Sequence, residues 1–111
     1  MLLLALLASA DAGVVRHALI VGSNDGGTEL SPLRYAEQDA DRFQQVIEEL
    51  GGFAPDQVTV LYEPGRDELL AALQEHAHIA QAHEEDMFLF YYSGHATARG
   101  LKLGEETLPY A

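Results

Sequence analysis

Three apolar runs, separated by two stretches with a three-and-four residue period, set the organisation of this chain. Val14-Val-Arg-His-Ala-Leu-Ile-Val21 is β-branched and becomes apolar on both faces towards its end, which predicts a first strand. Ser31-Pro32 then offers a hydroxyl N-cap with proline at the first helical position. Leu33, Ala36, Ala40, Phe43, Ile47 and Leu50 follow at steps of three and four, predicting a helix with one buried stripe, closed at Gly51-Gly52. Gln57–Tyr62 reads as a second strand, entered through Pro55-Asp56 and closed by Pro64-Gly65. A second helix is expected from Arg66 to His83. Asp67 and Glu68 suit its first turn, and Leu69, Leu70, Leu73, Ala77 and Ala80 form its buried face. Met87-Phe-Leu-Phe-Tyr-Tyr92 follows the acidic Glu84-Glu85-Asp86 and runs into Ser93-Gly94-His95, the pattern of a fully buried strand. Gly100–Gly104 and Thr107–Tyr110, parted by Glu105-Glu106, predict a small hairpin.

The order β-α-β-α-β implies an α/β fold with a mostly parallel sheet, right-handed crossovers and helices on its faces. That is a three-layer α/β/α arrangement, with strand order 2-1-3 for the part present. The Gly22–Gly27 loop and His95 then emerge side by side at the C-terminal edge of the sheet, where open α/β sheets place ligands and reacting groups. The competing reading of His95 is a structural histidine at a strand end.

At 111 residues the chain holds at most one small domain. Its net charge of −12 argues against a nucleic-acid partner and would favour cationic ones, although acidic surfaces also simply keep proteins soluble. There is no cysteine, hence no disulfide, no thiolate metal site and no thiol nucleophile within these residues. The Gly22–Gly27 loop matches neither nucleotide-binding glycine spacing and no lysine follows it, so no cofactor is expected. His76 and His83 share a helix face while His78 points elsewhere, and no i, i+4 pair exists; solvated helix histidines are expected, and no metal. Ser93 beside His95 reads as a serine satisfying a backbone group rather than a hydrolase dyad. Gly22-Ser-Asn-Asp25 resembles the G-x-N-D block of the SGNH hydrolases but lacks their preceding nucleophile motif. Residues 1–12 place Leu2–Ala8 before Ser9-Ala10-Asp11-Ala12, like a secretory signal with its cleavage site, though no Lys or Arg precedes the block. They are too short for a bilayer span. The expectation is an exported protein (periplasmic or extracellular) with its domain over 13–111, or a cytoplasmic one if this is an ordinary apolar N-terminus.

Arg16-His-Ala-Leu-Ile-Val-Gly22, Leu33-Arg-Tyr-Ala-Glu-Gln-Asp-Ala-Asp-Arg-Phe43 and Tyr91-Tyr-Ser-Gly-His-Ala96 together resemble the N-terminal part of a caspase or metacaspase-type cysteine peptidase domain (peptidase C14). The aromatic strand running into Ser-Gly-His is the most specific element. The resemblance implies a cysteine endopeptidase fold acting on a polypeptide. His95 would be the catalytic general base and acid, Gly94 the turn, and Ala96 the donor of an oxyanion-hole N–H. The family commonly has glycine where Ala96 stands, so a site needing positive φ would be held at a cost.

In caspases the cysteine motif lies roughly 50 residues beyond the histidine, whereas sixteen residues follow His95 here. An incomplete domain is therefore expected, inactive alone. The alternative is a non-catalytic caspase-like binding or regulatory module. For substrate binding, the resemblance points to the first strand–helix region. Asp39 falls on the acidic position of metacaspase-type members, which accept Arg or Lys. Arg34 is shifted by one from the arginine of caspase-type members, which accept aspartate, and Asn24 is a third candidate. With the chain's charge this leans towards a basic residue at the cleavage site, against Asp39 as a packing carboxylate.

Overall fold

The computed structural model describes residues 14–82 and 85–110. In order these form β1 (Arg16–Gly22), α1 (Ala36–Leu50), a 3-10 turn (Pro55–Gln57), β2 (Val58–Tyr62), α2 (Arg66–Gln81), β3 (Met87–Ser93), β4 (Gly100–Leu103) and β5 (Glu106–Pro109). The expected signal segment, residues 1–12, and His83 lie outside the described residues. No helix among the described residues is long and apolar enough to cross a membrane.

The hydrophobic pattern of β1 explains the layering. Ala18 and Ile20 face α1, joining Ala40, Ile47 and Phe53 in one buried cluster. Leu19 and Val21 face the other way, joining Leu69 of α2 and Leu103 of β4. A strand buried on both faces must be apolar at successive positions, which is why β1 reads as a continuous run. It pairs in parallel with β2 and with β3, giving the order 2-1-3. On the α1 face the Phe43 ring stacks on Tyr91 with centroids 4.1 Å apart, an aromatic contact that adds to area burial. The β4–β5 hairpin is antiparallel. Gly104, the first of its two loop residues, has φ 62°, as a type II′ turn requires.

Several expectations are corrected. The first helix begins at Ala36 rather than after Ser31-Pro32. Longer-range bonds hold the intervening segment: Leu33 N–H donates to Asn24 O at 2.7 Å, and Asn24 Oδ1 accepts from Ala36 N–H at 2.8 Å. Asn24 thus performs the capping assigned to Ser31. Leu33, Leu50 and Leu70 are exposed rather than part of the buried stripes. Strand β3 is half-buried, not fully buried, with Met87 exposed at its start. The cause is its position at the edge of the sheet among the described residues.

His76 is not a solvated histidine. Its ring stacks on Phe88 at 5.4 Å, its Nε2 lies 3.1 Å from Thr59 Oγ1, and its Nδ1 is buried without a hydrogen-bond partner. Burial lowers its pKa below the ordinary 6.5, and the nearby His17, itself 3.4 Å from Asp86, adds to this while Glu75 opposes it. The unfolded chain therefore takes up this proton before the folded one does. The contribution is complete above pH 6.5 and is lost as pH falls through and below that value. Urea midpoints compared at about pH 7.5 and about pH 5.5 should fall less in His76→Gln than in the parent.

Candidate active site

Strands β1 and β3 end level. Gly22 lies opposite Ser93, and Ser23 N–H donates to Ser93 O at 2.9 Å. Beyond that point the β1–α1 loop and the Gly94–Ala96 segment run against each other. At Gly94 a Cβ would sit 2.5 Å from Tyr92 Oη and 2.9 Å from Ser23 O, so only glycine permits the approach. At Gly26 a Cβ would overlap His95 Cδ2 and lie 2.9 Å from Cγ. The imidazole is thus seated directly on loop backbone.

His95 Nε2 lies 2.7 Å from the carbonyl oxygen of Ser31. A carbonyl can only accept, so Nε2 carries a proton, and in the neutral ring Nδ1 presents its lone pair. The histidine's backbone is held equally well. Its carbonyl accepts from Lys102 N–H at 2.9 Å and from the Tyr92 hydroxyl at 2.7 Å, and Tyr92 Oη also lies 2.6 Å from Lys102 O. Burial, its largest cause, pushes the Tyr92 pKa up to about 12, so the hydroxyl remains a donor across the neutral range. Tyr92→Phe would leave these carbonyls short of a donor and should cost about 1–2 kcal/mol, read as a lowered urea midpoint. Ala96 is exposed, bridges to Leu101, and is not among the residues with positive φ. The strain anticipated for alanine there is absent.

The loop under His95 is fastened from β2. Glu63 N–H donates to Gly22 O at 3.0 Å, while its carboxylate accepts from Asn24 N–H at 2.7 Å, Asp25 N–H at 3.2 Å and the Ser23 hydroxyl at 3.4 Å. Glu63 has φ 50°, a conformation that costs a non-glycine residue on the order of 1 kcal/mol and persists when surrounding contacts over-determine it. Its hydrogen bond to Glu37, followed by burial, raises the Glu37 carboxyl above its usual range. Carboxylates therefore gather on the α1 side of the sheet edge.

Of the residues singled out from sequence, His95, Gly94 and Ala96 form one continuous segment at that edge. Asp39 stands near it: its Oδ2 accepts from the Ser93 hydroxyl at 3.3 Å, so Ser93 satisfies a carboxylate and not the expected backbone group. Asn24 is committed to the start of α1, and Arg34 is exposed. Among the described residues no group of three or more His, Cys, Asp or Glu is arranged to hold a metal ion. Sequence reasoning missed Glu63, Gly26 and Tyr92. An acid directly after a parallel strand and a glycine inside the adjoining loop were the available signals for the first two.

His95 therefore sits at the end of a parallel strand with its Nε2 held by a backbone carbonyl, an arrangement able to serve proton transfer at Nδ1. Residues 15–109 match the family model for the caspase domain of peptidase family C14. No curated protein and no solved structure matches significantly. The chain belongs to the caspase-domain family of peptidases.

Proposed function

We propose that this chain supplies the histidine half of a thiol–imidazole pair in a cysteine endopeptidase. The observation that carries the reading is the Nε2–H bond from His95 to Ser31 O, which leaves Nδ1 as the basic nitrogen. Nδ1 takes the proton of a cysteine thiol contributed from outside these 111 residues, and the thiolate attacks the peptide carbonyl carbon. The Ala96 N–H helps stabilise the resulting oxyanion. Nδ1–H then gives its proton to the leaving amine, and water hydrolyses the acyl-enzyme. Asp39, within a carboxylate-rich edge, favours Arg or Lys before the scissile bond. Residues 1–12 serve as an export signal; N-terminal sequencing of exported protein should begin near Asp11 or Gly13.

The test starts from the open reading frame that encodes the chain. Expression of that frame should yield hydrolysis of fluorogenic peptides with Arg or Lys before the scissile bond, blocked by iodoacetamide and by His95→Ala. A frame without a cysteine after an apolar strand, or an activity indifferent to both treatments, would replace this reading with that of a non-catalytic binding module. Cleavage after Asp instead would overturn the role given to Asp39 alone.

A further inference from the structure

A cavity of about 370 Å³ opens between the β1–α1 loop and the β4–β5 hairpin, within the size range of small-ligand sites. Gly26 and Thr97 line it. The first packs on the His95 ring and the second lies two residues after it, so the cavity adjoins the candidate base. Sheet alternation separates Asp39 from the hairpin that forms one wall of the cavity. Ser93 follows Leu89 and Tyr91 on the α1 face, where Asp39 meets it, whereas the hairpin packs through Leu103 and Leu108 on the opposite face.

The two sides differ in charge. In a chain with only six Lys and Arg against eighteen acids, two of the six, Arg99 and Lys102, line this one cavity. The Arg99 side chain is exposed and makes no hydrogen bond or ion pair among the described residues. Lys102 Nζ lies 3.4 Å from Glu105 O, a weak contact. Two acids also line the cavity, but Glu105 is already engaged: its Oε1 accepts from Thr28 N–H at 2.6 Å. Glu29 is exposed and makes no ion pair among the described residues. A free guanidinium beside a concave wall is suited to a carboxylate, which it can hold with two parallel hydrogen bonds.

We infer that this cavity binds a carboxylate side chain of the peptide substrate on the leaving-group side of the scissile bond, with Arg99 as the principal contact and Lys102 in support. The inference rests on the peptidase reading for its orientation: a basic residue on the Asp39 side of His95 puts the residues after the scissile bond over the hairpin. The preferred substrate then carries opposite charges on the two sides of the bond to be cut.

Binding can be read without cleavage. The isotopically labelled chain is titrated, by amide NMR, with acetyl-Gly-Asp-Gly-amide, its Asn and Lys counterparts, and acetate. The Asp peptide should shift the amides of residues 28–30 and 97–102 saturably and bind about tenfold more tightly than the Asn peptide. Arg99→Gln should remove that preference while keeping the dispersed spectrum, and Lys102→Gln should reduce it. Equal affinity for Asp and Asn peptides, shifts confined elsewhere, or an unaffected Arg99→Gln variant would overturn the inference. Acetate binding as tightly as the Asp peptide would overturn the assignment to a peptide. Asp selectivity here without hydrolysis by the expressed reading frame would reject the peptidase reading and leave the carboxylate site standing.

Discussion

A valine at Gly26 should lower peptide hydrolysis by at least about 100-fold in a thiol-bearing form of the protein, approaching the effect of removing His95. Even a Cβ at this position would overlap the His95 ring. The ring cannot move away while keeping Nε2 on Ser31 O, because its own carbonyl is fixed by Lys102 N–H and the Tyr92 hydroxyl. A displaced imidazole no longer presents Nδ1 where a thiol proton can reach it, and a misplacement of about 1 Å is enough for a loss of this size. Gly26→Ala should show a smaller loss in the same direction. Steady-state rates measured on both variants, with circular dichroism confirming the fold, check this. Undiminished rates in a folded Gly26→Val variant would show that the seat is dispensable.

The largest stability effect is expected at Leu19. It is fully buried at the centre of the middle strand and packs with Leu69 and Leu103. Leu19→Ala removes apolar surface and leaves a cavity between sheet, helix and hairpin, at a cost of about 2–5 kcal/mol. Folded domains have only about 5–15 kcal/mol in total. Much of the margin would go, and the variant should be partly unfolded at ambient temperature. Urea denaturation followed by circular dichroism reads the change directly. A cost below about 1 kcal/mol would mean the site collapses around the smaller side chain and that the hairpin is not part of the same packed unit.

The architecture was largely legible because its main determinants are local. An uninterrupted apolar run identifies a strand buried on both faces, and the three-and-four period identifies each helix. What was not legible depends on partners distant in sequence. Ser31-Pro32 is a sound local start signal, yet Asn24, from the preceding loop, captures Ala36 N–H and starts the helix later. Leu33, Leu50 and Leu70 lie near the periodic stripes but outside the packed faces, which no single-helix pattern can distinguish. The same division runs through the site. His95 stood out as a histidine where an aromatic strand ends. Its partner is a backbone carbonyl, and a carbonyl leaves no trace in residue type. Glu63 fastens the loop from the neighbouring strand, a contact that exists only once β1 and β2 are paired.

The protonation pattern of His95 tests the central claim most directly. Long-range nitrogen–proton correlation spectra of the labelled chain, at a pH where the imidazole is neutral, distinguish the protonated from the bare ring nitrogen. The account predicts a proton on Nε2, slowed in exchange by Ser31 O, and a bare Nδ1. A neutral ring protonated on Nδ1 would contradict it, since the nitrogen required as base would then hold the proton.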